Sequence, residues 1–308
     1  MNNGLKITAF AAALAATFGV AYGVGNGVGP QLTAQVRPAG GHGADHGPAE
    51  PVTGPAAGGL QVSEGGYTLD LRTPALGAGT RTVLRFAVVD DATGRRVTAY
   101  QREHGKELHL VLASRDLTVY RHLHPVRAAD GTWSVPVSLP AAGDYRMFAD
   151  FTPAVRGASN LTLGTDLAVS GGYRPKELPA VRTTAVTDGY EVALSGGLRA
   201  GRESELELTV SRNGRPVTDL QPHLGAYGHL VALRSGDLAY LHVHPNEGGP
   251  GPAVSFAATA PSAGTYRLFL DFRHGGKVYT AAFTVEARTT ARPEAGRAGS
   301  TTPDTHGH

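Results

Sequence analysis

The residues most able to do chemistry in this 308-residue chain are its thirteen histidines, in a sequence with no cysteine. Two octapeptides concentrate them, TVYRHLHP at 118–125 and LAYLHVHP at 238–245. In a strand, residues i and i+2 share a face and lie about 6.5–7 Å apart. His122 and His124 therefore point one way with Tyr120, and His242 and His244 point one way with Tyr240. Two imidazoles so placed can close on one metal ion at nitrogen distances of about 2.0–2.1 Å. His109 and His229 lie on the preceding strands, a short turn away, and an antiparallel hairpin brings each alongside its pair. The expected ligand sets are His109, His122 and His124 in one cluster and His229, His242 and His244 in a second. His104 and His223, in the loops before those strands, and Asp150 and Asp271, in a matched later strand, are ligands of lower rank. Imidazole and carboxylate without sulfur favour Cu(II) or Zn(II) over Cu(I). Two other readings fit the same residues. The histidines can form a structural hydrogen-bond network, or the strand can present a solvated face on which Asp150 and Asp271 pair with Arg146 and Arg267.

The elements that must position these residues come in duplicate. GRRVTAYQREHGKELHLVLASRDLTVYRHLHP, residues 94–125, aligns without a gap on GRPVTDLQPHLGAYGHLVALRSGDLAYLHVHP, residues 214–245. Further on, LPAAGDYRMFADF (139–151) matches APSAGTYRLFLDF (260–272). An offset near 120 residues that carries whole modules predicts two copies of one fold. Apolar residues alternate at Leu84, Phe86 and Val88, at Trp133, Val135, Val137 and Leu139, and at Tyr145, Met147, Ala149 and Phe151. That period of two, with dense glycine and proline between, predicts an all-β chain of two tandem Ig-like antiparallel β-sandwiches. AAGDYR and SAGTYR look like tyrosine corners, whose hydroxyl bonds back to the chain a few residues upstream. The expected organisation is an N-terminal anchor or signal helix (1–29), a flexible Gly/Pro/His linker (30–58), sandwich one (59–170), a linker (171–178), sandwich two (179–287) and a disordered tail (288–308). His42, His46, His306 and His308 fall in the linker and tail and read as solvated.

Residues 7–28 carry no charge and are mostly apolar, long enough to span a hydrocarbon core of about 30 Å. Lys6 before them places the N-terminus inside and the modules outside, a single-pass membrane protein. The alternative is a cleaved signal peptide and a secreted chain, because Gly19-Val20-Ala21 offers a small-x-small site. A net charge of +2 gives no footprint for nucleic acid. The chain contains no G-x-S-x-G, no phosphate-binding P-loop and no H-E-x-x-H, so the expectation is a binding protein and not an enzyme. Asn160-Leu161-Thr162 fits a glycosylation sequon by spacing.

The HLHP and HVHP strands, the G-x-Y-R-x-F-x-D-F strand and the apolar N-terminus resemble secreted or membrane-anchored actinobacterial proteins with tandem Ig-like domains. More loosely they resemble the extracytoplasmic copper-handling β-sandwiches of the CopC and YtkA-like type. The second resemblance implies metal handling outside the cytoplasm. CopC-type proteins also use a histidine at the mature N-terminus as a copper ligand, and no candidate cleavage here exposes one. The expected function is an extracytoplasmic, membrane-anchored binding protein for Cu(II) or Zn(II), its protein partner unspecified. The alternative is a cell-envelope adhesion or scaffold protein whose histidines are structural.

Overall fold

The computed structural model describes residues 57–289 apart from His242, and of His244 it describes the backbone alone. The expected anchor over 1–29 and the tail from 290 lie outside the described residues. Among the described residues no helix is long and apolar enough to cross a membrane.

Every regular element among the described residues is a β-strand. Their alternation follows the sequence pattern. In Glu203–Arg212 the residues Ser204, Leu206, Leu208 and Val210 are buried while the glutamates between them face out. Each module folds into two sheets around one core. In the first module one sheet runs in the order Ser63–Glu64, Tyr67–Leu71, Thr82–Asp90, Trp133–Val137 and Val126–Arg127. The other runs Ala75–Gly77, Leu161–Ser170, Gly143–Phe151, His109–Ser114 and Tyr120–Leu123. The second module repeats the first order in Thr184–Thr187, Tyr190–Gly196, Glu203–Arg212, Ala253–Thr259 and Val243–Pro245, and four of the five strands of the other in Lys277–Ala287, Gly264–His274, Gly228–Arg234 and Tyr240–Leu241, with no counterpart to Ala75–Gly77 among the described residues. These are two Ig-like sandwiches of one topology. Both tyrosine corners form as expected: Tyr145 Oη donates to the Ala141 carbonyl at 2.9 Å, and Tyr266 Oη to the Ser262 carbonyl at 2.8 Å.

Simple alternation fails along the strands of the two inner sheets, and the failure positions the site. Along His109–Ser114 and Gly228–Arg234 nearly every residue is buried, on both faces of the strand. Leu110 and Leu112 enter the core of the first sandwich, while Val111 and Ala113 turn the other way. Val231 and Leu233 do the same in the second. Together with Tyr120, Phe148, Tyr240 and Phe269 they form a third apolar cluster between the modules. The two tandem sandwiches are joined face to face along this seam. The seam has approximate twofold character. The Tyr120 ring stacks on Phe269 at 4.1 Å and 5°, and the counterpart Tyr240 meets Phe148 at 5.5 Å. A patch that contacts its own duplicate is the arrangement of a symmetric homodimer, here within one chain.

Candidate metal centre

Period-two geometry now dictates where the histidines go. His109 shares a strand face with Val111 and Ala113, His122 with Tyr120, Asp150 with Phe148, His229 with Val231, and Asp271 with Phe269. All of these faces look into the seam, so the polar residues gather at one end of it. His109, His122 and His124 converge as expected, each offering a ring nitrogen within 4.8 Å of the others. Nδ1 of His109 lies 3.1 Å from Nε2 of His122 and 3.3 Å from Nε2 of His124.

The outer contacts decide which nitrogens are bare. Nε2 of His109 faces the Glu103 carbonyl at 3.2 Å, and a carbonyl can only accept, so Nε2 carries the proton. Nδ1 of a neutral His109 is then a lone pair. Nδ1 of His122 donates to Oδ2 of Asp271 at 3.0 Å, which leaves Nε2 of a neutral His122 bare as well. Asp271 is held in turn by the Thr280 hydroxyl at 2.5 Å. Two lone pairs thus face each other at 3.1 Å, with a third imidazole beside them. Nitrogens 3.1 and 3.3 Å apart, each about 2.05 Å from a common ion, subtend roughly 98–107°, close to a tetrahedral angle.

Electrostatics match this arrangement. Burial, then the neighbouring His122, holds the His109 imidazole down to about 3. Burial, then His122 and His109, holds His124 down to about 2. Rings that resist protonation keep their lone pairs available for a cation.

His229, expected beside His242 and His244, packs its ring against first-module histidines, 6.1 Å from His122 and 5.4 Å from His104 between centroids. Its Nε2 donates to the His223 carbonyl at 2.7 Å, repeating the His109–Glu103 contact. Burial is the main cause that lowers His229 to about 4 and also lowers His223. His242 lies outside the described residues, as does the side chain of His244. The Asp–Arg pairing on a solvated face does not occur. Arg146 bonds Asp166 and the Gly59 and Leu60 carbonyls, and Arg267 bonds the Thr284 hydroxyl. Asp150 accepts from the Asn160 amide at 2.7 Å, and burial pushes its carboxyl up to about 6. Asp150, Glu103, His104, His109, His122 and His229 line a cavity of about 300 Å³ at the seam.

Sequence reasoning missed two contributors. Glu103 acts through its backbone carbonyl, which no side-chain pattern reveals. Asn160, read only as a sequon, holds Asp150. Tyr120, on the face of His122 by parity, is buried at the seam, where burial and the Asp271 charge push its hydroxyl far above the usual range.

A family model for the domain of unknown function DUF8832 matches residues 61–161 and again residues 184–289. The chain belongs to the DUF8832 family. Each match falls on one sandwich, so the chain carries the DUF8832 domain twice. No curated protein matches the sequence. Among solved structures, the chain is similar to the Escherichia coli adhesin FdeC, at 16% identity over 74% of this chain and 65% of that one, with a TM-score of 0.23. It is similar to InvD of Yersinia pseudotuberculosis at 12% identity over 77% of this chain and 61% of that one, with a TM-score of 0.25. For the adhesin InvE of the same species the values are 10%, 71%, 58% and 0.22. The chain spans less than two thirds of each of these structures.

Proposed function

We propose that this protein binds a divalent transition-metal ion, Zn(II) or Cu(II), outside the cytoplasm, and that it is a binding protein and not an enzyme. The observation that supports this is the convergence of His109 Nδ1, His122 Nε2 and His124 Nε2, with the far nitrogens of His109 and His122 committed to a carbonyl and a carboxylate. Metal-ligating histidines characteristically donate their other N–H to such groups, which fixes the tautomer and raises the basicity of the ligating nitrogen. The three imidazoles fit Zn(II) or Cu(II), and an ion there would remove the lone-pair opposition. By the sequence repeat, His229, His242 and His244 would supply a second site. An anchor over 1–29, with the sandwiches outside the membrane, completes the reading, as does the looser likeness to copper-handling β-sandwiches.

A second reading keeps the histidines structural, in an envelope adhesion or scaffold protein. It is favoured by the His122–Asp271 bond, a contact between modules whose side chains are 7% and 5% exposed. Titration of the purified protein with Zn(II) and Cu(II) decides between them. The metal reading expects saturable binding that His109→Ala weakens by at least a hundredfold, with nitrogen hyperfine structure in the Cu(II) spectrum. His122→Ala with His124→Ala should remove one ion and leave the event assigned to the second repeat. Stoichiometry unchanged in both variants leaves the structural network as the function of these residues.

A further inference from the structure

The three converging histidines come from the first module, but the carboxylate that orients His122 comes from the second. Asp271 sits on Gly264–His274 and reaches the His122 Nδ1 at 3.0 Å across the seam. His229, also of the second module, packs on the same rings, and His223 lies 6.1 Å from His124 between centroids. Nothing in the first module replaces Asp271: its counterpart there, Asp150, accepts from Asn160. The first module alone therefore holds the ligands without the group that fixes one of them.

We propose that ion binding and docking of the two modules are one linked equilibrium, with Asp271 as the positioning residue that couples them; this rests on the metal reading above. A seam that raises ion affinity by a given factor is itself closed more tightly by the ion, by the same factor, as linkage requires. Loss of an outer carboxylate typically weakens metal affinity about 10–100-fold, and that range sets the expected coupling. The protein is thus a clasp, its docked state favoured by the ion and its open state releasing it.

The seam can be opened far from the ligands. Leu117 and Leu238 are 2% and 1% exposed in the seam cluster, in the turns at the other end of the two hairpins from the histidines. Both have positive φ, 56° and 63°, a conformation that Asp tolerates better than Leu. Leu117→Asp with Leu238→Asp thus suits the backbone while placing two like charges in the seam. Zn(II) affinity is measured by chelator competition on the full protein, and module separation by small-angle scattering with and without Zn(II). The expected result is a larger radius of gyration in the double variant, Zn(II) affinity at least tenfold weaker, and a return to the wild-type radius at saturating Zn(II). Asp271→Asn keeps the seam packed and should also lose at least tenfold. Wild-type affinity in an opened double variant, or a variant that stays open with Zn(II) bound, overturns the linkage. Should the double variant stay closed or misfold, Asp271→Asn decides, and wild-type affinity there overturns it equally. Should the wild type bind Cu(II) and not Zn(II), the same measurements with Cu(II) decide the linkage; binding of neither ion overturns the metal reading itself.

Discussion

The two sandwiches share a frame and differ in what surrounds their matched histidines. Six residues before each, a backbone carbonyl takes the ring N–H: Glu103 for His109 and His223 for His229. Both tyrosine corners are the same to within 0.1 Å. The matched carboxylates diverge. Asp271 holds His122 of the other module and the Thr280 hydroxyl, whereas Asp150 holds the Asn160 amide. The matched arginines diverge too. Arg146 clamps the Gly59 and Leu60 carbonyls, while the buried Nε of Arg267 has no hydrogen-bond partner among the described residues. Contacts that need only backbone register survived the duplication. Contacts that need a particular side chain opposite did not.

The largest effect should come from the rings that make the seam symmetric. Phe148→Ala and Phe269→Ala each empty a fully buried position, and each should lose about 3–5 kcal/mol of unfolding free energy in urea. A large loss in one and a small loss in the other would break the twofold description of the seam.

Acid should destabilise the metal-free protein. His109, His124 and His229 are held to about 3, 2 and 4 in the folded state, against about 6.5 unfolded. Between those values the unfolded chain binds more protons, so stability falls as pH falls below about 6.5. The slope is at most about 1.4 kcal/mol per pH unit for each proton taken up. Asp150, raised to about 6, has the opposite sign: its contribution is present below about 4 and lost as pH rises through 6. Three histidines outweigh one acid, so the urea midpoint should drop from pH 7 to pH 4. Asp150→Asn should steepen that drop, and a flat profile in the wild type would contradict the buried neutral rings.

The matched carboxylates offer a sharper contrast at neutral pH. Asp271→Asn leaves one oxygen where two now accept, from the His122 N–H and the Thr280 hydroxyl, and removes the charge that strengthens both bonds, so it should cost about 1–3 kcal/mol in chemical denaturation. Asp150→Asn keeps an oxygen for the Asn160 amide and removes a buried charge, so its change should stay within about 0.5 kcal/mol. Equal costs would mean that the two acids play one role. The smallest contrast between the modules belongs to the shared frame: Tyr145→Phe and Tyr266→Phe should each lower stability by about 1 kcal/mol, and by the same amount.

The sequence by itself determined the sandwiches. A period of two in apolar residues and a 120-residue repeat are local properties, legible because a strand sorts its side chains by parity alone. The same rule placed His122 and His124 on one face, and a short turn returned His109 to them. The near-continuous apolar runs HLVLAS and GHLVALR were visible as well, and two-sided burial is their physical meaning. No rule of parity says what covers the second face. Whether Val111 and Val231 meet each other or another molecule depends on shape complementarity between whole sheets, and only the tertiary structure decided it. That docking brought Asp271 to His122 and His229 to His104 from positions more than a hundred residues apart. It also set the depressed values of the rings, because burial at a seam belongs to both modules and is written in the sequence of neither.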